Sequence, residues 1–206
     1  MSKVLFLTHP QMGHLNPLLS IALQMRDDGH QPSFIVPGLK GMSSSIEILK
    51  TAALIPVLIE KEGFPVELVR PPLLGGLLSI LLPFATGYNE LMFALELSAI
   101  GIDKYTQSII KQIEQSRPDI MVTDFTFQAA YIAAEKAGIP CVAIYHTGLP
   151  FKGSLIPPFG SGLPIGENAP IMGKEFSRRE QFVLRRLDKR INVPNCERFS
   201  NKIKSF

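Results

Sequence analysis

Residues 3–25 constrain this chain more than any other stretch, because they read as a buried strand, a tight loop and a helix in immediate succession. Val4 to Leu7 is a short apolar run, suited to a strand covered on both faces. Pro10 and Gly13 punctuate the loop. Asn16 is expected to cap a helix opening with Pro17, where a missing N–H costs nothing. Leu18, Ile21, Ala22 and Met25 then recur at helical spacing and give one face to lay on a sheet.

His14 falls at the mouth of that helix, on the carboxyl edge of the first strand. The positive end of the helix disfavours imidazolium. A neutral imidazole there is placed to accept a proton as a general base. The same residue is equally well explained as one that caps or fills a turn.

The rest of the first half repeats the pattern. Gly29 is a natural stop for the first helix. Ser33 to Val36 reads as a second strand, Ser43 to Ala53 as a second helix and Pro56 to Glu60 as a short third strand. The alternation βαβαβ implies parallel strands joined by right-handed crossovers. Residues 61–89 are irregular, rich in Pro, Gly and Leu, and too long for an ordinary connection. A helical pattern runs from Glu90 to Ser116, with Ile102, Tyr105, Ile109 and Ile113 along one stripe. Ile120 to Thr123 is a fourth strand, Phe127 to Lys136 an Ala-rich helix, and Cys141 to Tyr145 a fifth strand. A Pro- and Gly-rich loop follows from Pro150 to Pro170, then a charged helix from Lys174 to Arg190. The expected fold is α/β, a Rossmann-like doubly wound parallel sheet over residues 1–150, with 151–206 a loop and helical segment.

In such a sheet, ligands bind beyond the carboxyl ends of the strands, where strand order reverses. The expected order 3-2-1-4-5 puts that reversal between strands one and four. His14 follows strand one and Asp124 ends strand four, so the two should flank one crevice. A carboxylate beside a histidine fixes the tautomer of the ring and stabilises the imidazolium that forms when a proton arrives. The competing reading makes Asp124 the N-cap of the helix beginning near Phe127. His146 could line the same crevice or be a packed, hydrogen-bonded ring. His9, His30 and His146 show no metal-ligand spacing among themselves, and no metal is expected.

Composition narrows the partners. The chain has 206 residues, 46% hydrophobic and 19% charged, with a net charge of +3, too small to argue for nucleic acid. Cys141 and Cys196 lack metal-ligand spacing, and a buried reduced Cys141 suits the cytoplasm. No signal peptide is evident. The greasiest window, Pro71 to Phe84, falls far short of the ~20 residues that span a bilayer. It is expected to be core or pocket wall, with peripheral membrane contact as an alternative. No Walker loop, nucleophile elbow or GxGxxG is present.

Pro10 to Pro17, followed by Gly29-His30, resembles the opening of nucleotide-sugar-dependent glycosyltransferases of the two-domain GT-B type. The similarity is to the branch that glycosylates small lipophilic molecules, the UDP-glycosyltransferases and their bacterial macrolide and carotenoid relatives. Arg117 to Asp124, then Ala133 to Pro140, matches the fourth strand and following helix of that family. The resemblance runs from about residue 3 to 150.

It implies that His14 is the base for the acceptor hydroxyl and Asp124 its partner. It also implies that Thr147 touches the donor sugar, and that the segment holding Phe84 builds the acceptor pocket. Gly13 and His146 are further expected substrate contacts. The implied reaction is an inverting transfer, with a UDP-sugar as co-substrate, no resident cofactor, and a small lipophilic hydroxyl compound as acceptor.

The family has a second Rossmann-like domain that holds the nucleotide, and no such domain is read before Phe206. A donor-binding partner is therefore expected, the chain being a fragment or one subunit of a split enzyme. The alternatives are a non-catalytic module that holds a lipophilic ligand, and an unrelated Rossmann-like enzyme.

Overall fold

Among the described residues the sheet is parallel throughout and five strands wide, its strands, numbered along the chain, lying in the order third, second, first, fourth, fifth. In this computed structural model the described residues are 1–38, 47–70 and 102–146. They form β1 (Lys3–Leu7), α1 (Met12–Asp27), β2 (Gln31–Pro37), α2 (Glu47–Lys61), β3 (Val66–Val69), α3 (Ile102–Ser116), β4 (Ile120–Asp124), α4 (Gln128–Ala137) and β5 (Cys141–Ile144). All of them belong to one unit, Met1–Gly76 with Gly101–Gly148. The helical start at Glu90, the apolar window from Pro71, the loop from Pro150, the helix from Lys174, Phe84, Thr147, Cys196 and the boundary near 150 lie outside the described residues.

Strand periodicity divides the core. Val4, Phe6, Phe34, Val36 and Val122 point into a cluster with Leu15, Leu18 and Ala22 of α1 and Ile55 and Ile59 of α2. Within it, the Phe6 and Phe34 rings stack at 5.1 Å, and Phe64 tilts against Phe34 at 5.5 Å. Leu5, Leu7, Ile35 and Met121 are equally buried with the opposite parity. Such two-sided burial is why β1 reads as a continuous apolar run instead of an alternating one.

Two expected elements fall differently. The run Pro56 to Glu60 is not a strand; it is the second half of α2, with Pro56 inside the helix. An interior proline costs about 3 kcal/mol. Ile55 and Ile59, one helical turn apart and both fully buried, offset that by about 1.5–3 kcal/mol each. The third strand is instead Val66–Val69, within the stretch expected to be irregular.

Between the two, Gly63 at φ +85 ends α2. The Gly63 N–H bonds the Glu60 carbonyl, and the Phe64 N–H reaches back to Ile59. A Cβ on Gly63 would meet nothing within 4 Å, so substitution there strains only the backbone. Gly63→Ala is expected to cost about 1–2 kcal/mol, read as a lower urea midpoint at unchanged m.

The second difference concerns α1. It begins at Met12 with Gln11 as N-cap, not at Asn16, and Pro17 lies inside it. The His14 and Leu15 N–H groups both bond the Gln11 carbonyl, at 3.2 and 2.9 Å, which tightens the first turn. Pro17, lacking an N–H, leaves the Gly13 carbonyl without its usual helical partner. His14 is thereby inside the first turn and not in the loop before it.

Candidate active site

The site follows from period and parity. His14 lies four residues before Leu18 and eight before Ala22, both fully buried against the sheet, so it is the first-turn member of the sheet-facing stripe. On β4, Val122 points toward α1, and Asp124, two residues on, shares that face. On β5, Ile144 packs against the same cluster, and His146 stands two residues beyond it. Three side chains distant in sequence therefore converge at the carboxyl edge of β1, β4 and β5.

His14 Nδ1 lies 2.7 Å from Asp124 Oδ2. His146 Nδ1 stands 3.2 Å from the same oxygen. The other carboxylate oxygen, Oδ1, accepts the Thr126 N–H at 2.8 Å and the Thr126 hydroxyl. The Asp124 side chain is wholly buried, while His14 and His146 keep 21% and 11% of their side-chain surface, so solute reaches the imidazoles and not the carboxylate. The His14 and His146 rings meet edge-on at 4.4 Å, and His9 flanks His14 at 5.5 Å. Phe127 backs His9 at 5.0 Å, and Phe125 backs His146 at 5.4 Å.

Burial pushes the Asp124 pKa up, but hydrogen bonds from His14 and Thr126 outweigh it and hold the group below the ordinary carboxylate value. Asp124 is therefore ionised at neutral pH and only accepts. The His14 nitrogen facing it must carry the proton, which leaves Nε2 with a lone pair. The same chemistry decides between hydrogen bonding and coordination. His14, Asp124 and His146 place one potential ligand atom each within 4.8 Å of one another, a spacing a metal ion could bridge. An Nδ1 that donates to Asp124 has no lone pair for a metal, and we assign the His14 contact as a hydrogen bond.

His9 is the outlier of the group. Desolvation lowers its pKa from 6.5 to about 4, helped by His14 and opposed by Asp124 and a hydrogen bond to the Thr126 backbone. It is neutral in the folded state at pH 7. Between pH 6.5 and 4 the unfolded chain binds the proton more readily, so stability is full above pH 6.5 and declines as pH falls toward 4. The loss is expected to reach at most about 3 kcal/mol. Urea unfolding at a series of pH values measures it, and His9→Gln is expected to flatten the slope.

Of the residues singled out from sequence, the structure brings His14, Asp124 and His146 together. Gly13 is exposed one residue before His14, and a Cβ there would meet nothing within 4 Å, so the backbone is open to an incoming molecule. Asp124 does not cap α4; Phe127 holds that position without a side-chain bond, and the carboxylate turns back onto Thr126. Cys141 is half-buried and free, its thiol raised to about 11 by desolvation. The sequence pattern marks His9 only as a histidine without metal-ligand spacing, and does not mark Thr126. An Asp-x-Thr spacing at a strand end is the signal that points to Thr126; His9 carries none. Among the described residues no helix is long and apolar enough to cross a membrane.

The five-stranded parallel sheet is Rossmann-like, and the comparisons with known proteins lead to the same glycosyltransferases that the sequence resembles. No protein-family model matches the chain. It is 26% identical over 206 residues to the 4'-demethylrebeccamycin synthase of Lentzea aerocolonigenes, covering 98% of this chain and 45% of the relative. The crystal structure of the kitacinnamycin glycosyltransferase superposes with a TM-score of 0.59 at 16% identity, over 93% of this chain and 40% of that one. The glycosyltransferase SnogD from Streptomyces nogalater gives 0.52 at 18% identity, over 87% and 41%. These likenesses establish a shared fold, and the chain spans less than half the length of each of the three proteins.

Proposed function

We propose that this chain is the acceptor-side part of an inverting glycosyltransferase that moves a sugar from a nucleotide diphosphate carrier, a UDP-sugar, to a hydroxyl of a small lipophilic molecule. The observation that carries the proposal is the 2.7 Å contact between His14 and a buried, ionised Asp124 at the switch point of the sheet.

With Nδ1–H held by Asp124, His14 Nε2 takes the proton of the acceptor hydroxyl. The oxygen bonds the anomeric carbon from the face opposite the diphosphate, and the carbon–oxygen bond to the diphosphate breaks with its electron pair. The imidazolium left behind is stabilised by Asp124. The exposed Gly13, the segment holding Phe84, and Thr147 are proposed to meet the substrates. The nucleotide sugar is a co-substrate, and no resident cofactor enters this step. Its carrier is proposed to sit on a second, donor-binding domain, and the setting to be the cytoplasm.

The test is transfer from UDP-glucose to a panel of hydrophobic alcohols, by the chain alone and mixed with a donor-binding domain protein from a similar glycosyltransferase. Product that requires this chain supports the reading. Binding of the alcohols without transfer in any pairing overturns it.

A further inference from the structure

We propose that His146 is a positioning residue that shares the Asp124 carboxylate with His14 and thereby weakens the hold of that carboxylate on His14. The inference deepens the function proposed above and rests on it only for its kinetic readout.

The geometry supplies the reason. Asp124 Oδ1 is engaged by the two donors of Thr126. Its Oδ2 faces both imidazoles, with His14 Nδ1 at 2.7 Å and His146 Nδ1 at 3.2 Å. Negative charge spread over His146 as well as His14 stabilises an imidazolium at His14 less than an undivided carboxylate would. The second effect is mechanical. The His146 ring abuts the His14 ring edge-on at 4.4 Å and leans on Phe125, which in turn stacks on Tyr145 at 4.8 Å. His14 is thus held from the β5 side by His146 and from the β1 side by His9.

The third consequence concerns proton count. Two imidazolium rings 4.4 Å apart would repel, so the geometry disfavours charge on both at once. The ionisable groups that face the pair among the described residues are Asp124 from β4, His9 from the end of β1, and, beyond the carboxylate, Tyr131 of α4, whose pKa is raised by burial and, to a smaller extent, by neighbouring groups that include Asp124. Asp124 supplies the negative charge, His9 stays neutral above about pH 4, and Tyr131 stays protonated, so the charge His14 faces is set by how Asp124 Oδ2 is divided between His14 and His146.

The sequence contains His9, His14, His30 and His146 as its only histidines, so each ring signal is assignable in an isotope-labelled sample. The experiment follows the His14 ring by NMR against pH in the parent chain, His146→Leu and His146→Asn. The Asn amide can keep a donor near the Nδ1 position. In His146→Leu the His14 titration is expected to move upward by about one pH unit. In His146→Asn it is expected to return most of the way to the parent curve.

A midpoint that stays put in a folded His146→Leu protein overturns the inference. So does an equal shift in both variants, which would mean that any loss of the ring suffices. If His146→Leu does not fold, the Asn variant decides alone: a curve displaced as far as one pH unit sinks the proposal, and one close to the parent supports it. In the transfer assay, the acid limb of kcat/KM is expected to rise with the NMR midpoint. A raised KM with an unmoved limb would instead make His146 a substrate contact. Because the NMR readout needs no turnover, a shifted midpoint without transfer counts against the glycosyltransferase reading and leaves this one standing.

Discussion

Replacing His14 with alanine is expected to lower sugar transfer by about 10²- to 10⁴-fold, the range that removal of a general base produces. The loss should fall on kcat, since the ring acts on the hydroxyl proton in the transition state. Folding should survive. The His14 side chain is one-fifth exposed, and without it the carboxylate keeps both donors of Thr126 and the nearby His146. The stability cost is expected to be about 1.5–3 kcal/mol, the worth of one charge-assisted hydrogen bond. A melting curve run beside the assay separates the two effects. Transfer within a few-fold of the parent enzyme would remove His14 from the role of base.

Asp124→Asn is expected to be as damaging, for a different reason. The amide is nearly the shape of the carboxylate, and its oxygen can still accept from Thr126. Its NH₂ group would then face His14 Nδ1, donor against donor, with His146 Nδ1 close by. The imidazole relieves the clash by moving its proton to Nε2, so that Nδ1 accepts. The nitrogen that should receive the substrate proton is now already protonated. A loss of about 10³- to 10⁴-fold in kcat follows. The ring nitrogen shifts of His14, read by NMR in the variant, report the tautomer directly. Unchanged activity, or an unchanged tautomer alongside lost activity, would contradict the account. Asp124→Ala is a poorer probe, because it removes a fully buried acceptor from Thr126, His14 and His146 and costs about 1–3 kcal/mol for each group left unsatisfied.

The strand order was legible because a parallel βαβ unit has few solutions: short apolar runs need cover on both faces, and crossovers have a fixed hand. That logic holds even though the third strand is Val66–Val69 and the run from Pro56 is helix. The apolar run at Ile55–Ile59 fits strand or helix equally well by period. The buried contacts of Ile55 and Ile59 with the sheet, which no local pattern reveals, settled it as helix across a proline. The start of α1 was hidden in the same way. Asn16-Pro17 is a strong local start signal, and packing of Leu15 and Leu18 extended the helix one turn past it toward the N-terminus.

The sequence by itself determined the parallel sheet, its order, and the meeting of His14 with Asp124, because alternation along a strand and the switch-point rule are properties of the backbone. Only the tertiary structure decided that His146 comes to the same oxygen and that His9 is desolvated beside them. Those two facts depend on distances of a few ångströms between separate strand ends. Such distances are set by how helices seat on the sheet, and side-chain packing fixes that seating only once the whole core has formed.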